Sequence, residues 1–252
     1  MERSKIEKGH HPHHDIESHG HNEQTLCMKL DNSDPQWAFI RKVYAIIAMQ
    51  LLLTAAVAAA VVFYRPIPHF FAKTTPGLVA YIFIIIFTIL ILLPLFVFRQ
   101  SHPVNFFLLA LFTIGIAFSV GLACAYTKGT VILEAAILCT IMVVSLTLYT
   151  FWAAMRGSDF SFLGPFLFAS LWVLIAFALI QIIFPLGKLT LTIYSAIATI
   201  IFCGYIIYDT YNLLERSYDE YIWAAVAIYL DIINLFINLL NLLASNGDCS
   251  DC

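Results

Sequence analysis

The sequence predicts an all-α integral membrane protein built as a bundle of seven transmembrane helices. Of its 252 residues, 61% are hydrophobic and only 12% are charged, whereas soluble domains carry about 25% charged residues. Too little polar surface is therefore present to coat a soluble protein. The apolar residues also fall into continuous runs long enough to cross a hydrocarbon core of about 30 Å as helices of roughly 20 residues. Strands of a membrane barrel would alternate apolar and polar residues instead.

Seven such runs follow one another, separated by short segments rich in Pro, Gly and basic residues. They are Val43–Tyr64, Leu78–Phe98, Val104–Tyr126, Val131–Ala154, Phe162–Phe184, Leu189–Tyr208 and Tyr221–Leu243. Connections this short favour an up-and-down bundle, although the tight turns on either side of the third run leave room for a merged or re-entrant segment.

Three regions result: a polar tail at 1–40, a membrane domain at 41–244 and a short polar tail at 245–252. The first tail lacks the apolar core of a secretory signal peptide, and its composition predicts disorder. Lys and Arg slightly favour the side that holds this tail, so the positive-inside rule places it in the cytoplasm.

Histidines and cysteines give weaker signals. The tail contains His10, His11, His13, His14, His19 and His21, which can bind Zn²⁺ through imidazole, but no partners stand at a zinc-finger spacing and weak or incidental metal binding is the simpler interpretation. The six cysteines show no disulfide pattern of the secreted type. Cys249 and Cys252 form a C-x-x-C, which we interpret as an incidental part of the tail rather than as a redox or metal motif.

Two carboxylates stand out because ionisable groups in apolar spans are costly and mark functional sites. Asp231 lies near the middle of the seventh span, and Asp209 lies at the end of the sixth. The position midway between them along the chain, 220, lies inside the polar connector between 215 and 221. If the sixth helix continues beyond Leu214, each residue lies about 16 Å from the tip of the hairpin, so the two carboxyl groups should reach the same depth on facing helices.

Two carboxyl groups that meet in a low dielectric cannot easily both be ionised, so the pair should share a proton and respond to pH. When ionised, the pair offers hard oxygen ligands for Ca²⁺, and Asn234, three residues after Asp231, could add an amide oxygen. The alternative is structural: Asp209 as an interfacial residue and Asp231 as a hydrogen-bonding node.

Two further charged residues are candidates for a latch on the pair or for an ion pathway. Glu134 is either an interfacial acid favoured by the nearby helix N-terminus or a pore-lining group. Arg99, at the end of the second span, is either an electrostatic latch for Asp209 or a plain positive-inside anchor. The sequence has no H-E-x-x-H motif, no Gly-rich phosphate loop and no Ser/His/Asp order, so we expect no enzyme. The net charge of -3 gives no sign of a nucleic-acid partner.

Several segments together resemble the Bax-inhibitor family, Lifeguard branch, and look similar to its plant members. They are Pro103 to Gly121, Val131 to Ala135, Leu146 to Phe151, Gly157 to Phe160, Gly204 to Thr210, Asp219 to Tyr221 and Tyr229 to Phe236. The resemblance covers about Trp37 to Leu243, and the combination of Y-D-T with Y-L-D-I-I-N-L-F is specific.

The resemblance implies a seven-helix fold with a central last helix, and a pH-sensitive Ca²⁺ leak that suppresses stress-induced programmed cell death. Asp209 and Asp231 would form the proton-sensing pair, and Arg99 the latch. Ca²⁺ would be the permeant ion, with no tightly bound cofactor. The membrane would be that of the endoplasmic reticulum or Golgi, with plasma and vacuolar membranes as alternatives, and the partners would be lipid and cell-death or stress-signalling membrane proteins.

Two other functions stay open. One is a non-conducting membrane scaffold that regulates cell death through protein partners. The other is a proton-coupled cation exchanger, because carboxylate relays are common in transporters, although no inverted repeat is visible.

Overall fold

The chain forms a helical bundle in a computed structural model, which describes residues 33–64, 66–98, 104–184, 187–215 and 221–247. Within these residues there is no strand, and the helices are α1 Ser33–Phe63, α2 Pro66–Lys73, α3 Thr75–Val97, α4 Val104–Ala125, α5 Gly129–Met155, α6 Leu163–Ile183, α7 Lys188–Glu215 and α8 Tyr221–Gly247. Every helix except α2 is long and apolar enough to cross a membrane. The prediction of an all-α protein with seven spans is confirmed.

The helix ends differ from the predicted spans where a helix continues past its apolar run. The first helix begins at Ser33 rather than Val43, and α7 ends at Glu215 rather than Tyr208. Backbone hydrogen bonds do not stop at the first polar side chain, whereas a search for apolar runs does. The short helix α2 was not predicted. The tail at 1–32, Arg99, the connector at 216–220 and the tail at 248–252 lie outside the described residues.

The last helix, α8, lies at the centre of the bundle, as the family resemblance implies. Inside α8, 56% of the spanning segment is buried, against 39% or less in any other span. It packs on α1, α4, α5 and α7, and the side chains of Ala225, Tyr229 and Leu235 are fully buried. The buried polar groups of α8 are therefore held inside protein rather than facing lipid.

Successive spans run in opposite directions, which gives the bundle two ends. We call the end at which α1 begins the near side; α5 and α7 also end there, and α8 begins there. Aromatic rings contact basic side chains on this side: Lys42 Nζ lies 3.6 Å from the ring centre of Tyr221, and the guanidinium of Arg156 lies 4.0 Å from that of Trp152. Such residues are typical of a membrane interface.

Close packing of α1 against α4 depends on a small residue. A Cβ added at Gly121 would lie 2.9 Å from Cβ of Val61 and 3.0 Å from Cα of Ala58. Membrane helices approach closely where small residues meet, because packing rather than the hydrophobic effect drives their association in lipid. Glycine is required here for space.

Candidate functional site

Asp231 occupies the most protected position that a charged residue has in the described part of the chain. It lies in the middle of α8, and only 6% of the residue is exposed. A short carboxyl side chain at this depth cannot reach the interface, so burial is costly unless a partner is present.

The partner is Asp209, on the neighbouring helix α7. The two carboxyl groups form a side-chain hydrogen bond. Asp209 lies on a helix because α7 continues past Tyr208 to Glu215, so the two aspartates meet between neighbouring helices. A carboxylate only accepts hydrogen bonds, so a bond between two carboxyl groups requires one of them to carry a proton. The contact therefore provides the arrangement that the predicted sharing of one proton requires.

The carboxyl pair can still accept another hydrogen bond or bind a cation. Asp231 Oδ2 is buried and has no hydrogen-bond partner among the described residues. Tyr205 lies close to both carboxyl groups, yet its hydroxyl group donates to the carbonyl oxygen of Leu167 at 2.8 Å. A buried oxygen without a partner costs free energy, and hence favours entry of water or a cation at this point.

Two other residues predicted for the site, Asn234 and Glu134, do not join the pair. Asn234 donates from Nδ2 to the carbonyl oxygen of Leu230 at 2.8 Å, a bond within its own helix. Glu134 is exposed on α5, near the far end of the bundle, which fits the interfacial alternative. Arg99 lies outside the described residues. The roles of all five predicted residues stay predictions.

The two carboxyl groups by themselves cannot fill the coordination shell of Ca²⁺. Ca²⁺ takes about six to eight oxygen ligands, and two carboxyl groups supply four oxygens at most. In the described part of the chain, no group of three or more His, Cys, Asp and Glu side chains comes together.

A second polar cluster lies in the bundle between α1, α4 and α8, and sequence reasoning missed it. The hydroxyl groups of Thr54 and Tyr229 lie 2.8 Å apart, and Nε2 of Gln50 donates to Oγ1 of Thr113 at 3.1 Å. The available signal was the pair Gln50 and Thr54, one helical turn apart in an otherwise apolar span. Spacing alone could not show which helix they face.

A third feature, the α5–α6 loop on the near side, is joined to α7 close to the carboxyl pair. The carboxylate of Asp159 accepts from the backbone N–H of Ser161 at 2.7 Å and also from the Ser161 hydroxyl. It accepts from the hydroxyl of Tyr211, on α7, at 3.3 Å. These bonds, the hydroxyl of Ser161 first, hold the pKa of the exposed Asp159 carboxyl below its usual range. The loop is thereby fixed to the helix that carries Asp209.

Comparison with known proteins identifies the family to which the chain belongs. Residues 36–248 match the family model described as inhibitor of apoptosis-promoting Bax1. Protein LIFEGUARD 4 of Arabidopsis thaliana is 61% identical over 84% of this chain and 87% of its own length, and Protein LIFEGUARD 3 of the same plant is 62% identical over 84% and 86%. The Golgi anti-apoptotic protein of Vaccinia virus (strain Lister) is 37% identical over 82% and 84%. The chain therefore belongs to the Bax-inhibitor family, in its Lifeguard branch, as a multi-pass integral membrane protein.

Proposed function

We propose that this protein is a pH-sensitive Ca²⁺ leak channel of an endomembrane, of the endoplasmic reticulum or Golgi, that suppresses stress-induced programmed cell death. The observation that carries the proposal is the hydrogen-bonded pair Asp209 and Asp231, on α7 and on the buried central helix α8. The name of the viral relative, a Golgi anti-apoptotic protein, supports both the compartment and the cellular role.

Protonation of the pair would act on the path by changing the charge between α7 and α8. With one proton, the two carboxyl groups hold the helices together through a hydrogen bond. When that proton leaves, two negative charges face each other in a low dielectric, and their repulsion is relieved only if the helices separate or a cation enters. Either response favours passage of Ca²⁺.

The central position of α8 would spread this local change through the bundle. Because α8 packs on four other spans, a small shift of Asp231 alters several helix contacts at once. A slow Ca²⁺ leak would lower the content of the store, so less Ca²⁺ is available to be released under stress. The link from leak to survival rests on the family resemblance.

The test is Ca²⁺ flux into dye-loaded liposomes that contain the purified full-length protein, over a wide pH range from about 8 to about 5.5, because interacting carboxyl groups lose their protons in two separate steps. Wild type is compared with Asp209→Asn and Asp231→Asn, which keep the shape of the side chains and remove their charge. Asp15→Asn is the matched control, because it makes the same change in the polar tail at 1–40, outside the membrane domain. Glu134→Gln tests the pore-lining alternative directly.

We expect a flux that changes with pH in wild type and in Asp15→Asn, and a flux that is independent of pH in the two variants of the pair. Absence of flux above that of empty liposomes, from protein that elutes as a folded species, contradicts the proposal and favours the scaffold. Proton movement opposite to that of Ca²⁺, recorded with a pH dye inside the liposomes, would assign the protein to the exchangers instead.

A further inference from the structure

Polar residues form a stripe along the second half of the central helix α8. They are Asp231, Asn234, Asn238, Asn241 and Ser245, which follow one another at intervals of three and four residues. At about 100° per residue, this spacing keeps the whole stripe within an arc of about 80° on one side of the helix. The polar stripe is about 21 Å long. Because α8 begins on the near side, the stripe runs from the carboxyl pair toward the far end of the bundle.

The polar stripe faces α7. At its near end, Asp231 is hydrogen-bonded to Asp209 of α7. At its far end, the hydroxyl group of Ser245 lies 2.8 Å from that of Thr192 of α7. The three asparagines lie between these two contacts on the same side of α8, so they also face α7.

Hydroxyl groups of α7 lie opposite the far half of the polar stripe. Ser195 and Thr199 follow Thr192 at the same intervals of three and four residues. Helical geometry places both residues between Thr192 and Asp209 around the axis of α7, on the side that contacts α8. Ser195 is fully buried, and 8% of Thr199 is exposed. Oxygen-bearing side chains of two facing helices therefore line one interface in the far half of the bundle.

The hydrogen bonds of these residues stay within their own helices. Nδ2 of Asn234 donates to the carbonyl oxygen of Leu230 at 2.8 Å, and Nδ2 of Asn238 donates to that of Asn234 at 2.8 Å. The hydroxyl group of Thr199 donates to the carbonyl oxygen of Ser195 at 2.7 Å. Polar residues that join membrane helices bond from one helix to the other. Here the donors are used within each helix, and the side-chain oxygens remain available as acceptors.

We propose that the polar stripe of α8 and the hydroxyl groups of α7 form the route of Ca²⁺ between the carboxyl pair and the far side. This route rests on the proposed leak function and adds the path of the ion to it. Ca²⁺ takes amide and other hard oxygen ligands, and polar groups in the interior of a membrane bundle mark ion pathways.

The route is closed in this structure, because only 7% of Asn238 is exposed. Repulsion between the two ionised carboxyl groups separates α7 from α8 and opens the interface that carries the polar stripe. An opening of this kind fills with water when its walls are polar, whereas a narrow apolar opening excludes water and blocks ions.

The first experiment measures Ca²⁺ flux in the liposome assay at the pH of greatest wild-type flux. Asn238→Leu replaces an amide by an apolar group of similar size and should lower the flux about tenfold or more, because an apolar constriction excludes water. Asn238→Ser keeps an oxygen at this position and should conduct within about threefold of wild type.

A pair of threonine variants makes the same change on and off the route. Thr199→Val removes a hydroxyl group that faces the polar stripe and should lower the flux about threefold or more. Thr150→Val is the matched control. Thr150 is fully buried and donates to the carbonyl oxygen of Leu146 at 2.8 Å, within the near-side part of α5, so its substitution should leave the flux unchanged.

Access of a metal ion tests the route independently of any loss of oxygen ligands. Asn238→Cys places a thiol on the polar stripe, and Leu239→Cys places one about 100° around the helix from it. Thiolates bind metal ions, so Cd²⁺ should lower the flux of Asn238→Cys about tenfold or more, as an ion held in the route blocks it. Cd²⁺ should leave the flux of Leu239→Cys and of wild type unchanged.

The outcomes separate the route from the leak itself. A wild type without flux overturns both proposals. If wild type conducts, the route is overturned when Asn238→Leu conducts like wild type or when Cd²⁺ does not distinguish the two cysteine variants; the leak then stands. An unchanged flux with a lower free energy of unfolding in Asn238→Leu would assign the polar stripe to helix packing. The Cd²⁺ comparison decides even if Asn238→Leu does not fold.

Discussion

Because Thr54 and Tyr229 are hydrogen-bonded to each other, we expect Tyr229→Phe and Thr54→Val to lower the free energy of unfolding by different amounts. Both side chains are buried, with 5% of Thr54 and none of Tyr229 exposed, and their hydroxyl groups lie 2.8 Å apart. The hydroxyl group of Thr54 already donates its hydrogen to the carbonyl oxygen of Gln50 at 2.7 Å. Tyr229 must therefore be the donor in the bond between the two residues.

The magnitudes follow from which group loses its partner. Tyr229→Phe removes the donor and leaves Thr54 bonded to Gln50, so it should cost about 0.5–1.5 kcal/mol, the net value of one hydrogen bond. Thr54→Val leaves the Tyr229 hydroxyl group buried without an acceptor, which costs about 1–3 kcal/mol. In the double variant neither polar group remains, so its cost should be less than the sum of the two single costs.

The assay is reversible unfolding of the reconstituted protein in SDS, with the free energy of unfolding measured for wild type, both single variants and the double variant. Thr140→Val is the control, because Thr140 is exposed and its hydroxyl group donates to the carbonyl oxygen of Ala136 within the same helix, α5. It should change the free energy of unfolding by less than about 0.5 kcal/mol. A Tyr229→Phe variant at least as destabilised as Thr54→Val, or additive costs in the double variant, would refute the reasoning.

Two further predictions concern packing and pH. Gly121→Ala should lower the free energy of unfolding by about 1–3 kcal/mol, because the added Cβ overpacks the contact with α1. Gly129→Ala is the control, because a Cβ added there meets nothing within 4 Å, and it should leave the free energy of unfolding nearly unchanged. Equal effects of the two substitutions in the same SDS assay would contradict this prediction. Asp159 has a folded-state pKa below its unfolded value, so the stability it contributes is present above the unfolded pKa of about 3.9 and is lost as the pH falls through the folded pKa. Asp159→Asn should therefore reduce the dependence of stability on pH only below about pH 4. It should leave the pH profile of Ca²⁺ flux unchanged. A change in that profile would show that the loop takes part in gating.

Part of the candidate site could be predicted from the sequence. The position midway along the chain between Asp209 and Asp231, 220, lies in the polar connector between the last two spans. A hairpin of two straight helices that turns at this position brings the two residues to the same depth. What the sequence left open was whether the two side chains face each other, because that depends on the rotation of each helix about its axis. The hydrogen bond between them depends on the extension of α7 to Glu215, beyond the apolar run.

The sequence by itself determined the class of the protein and its seven spans. This was possible because a segment that crosses lipid must be apolar along its length and must satisfy its own backbone hydrogen bonds. Each segment meets this requirement by itself, so the spans can be identified one at a time from the sequence. The tertiary structure alone decided which polar side chains meet, such as Gln50 with Thr113 and Thr54 with Tyr229. In a soluble helix an apolar stripe reveals the buried face, but here the faces that contact lipid are as apolar as those that contact protein. The pattern of hydrophobic residues therefore carries little information about how each helix is turned.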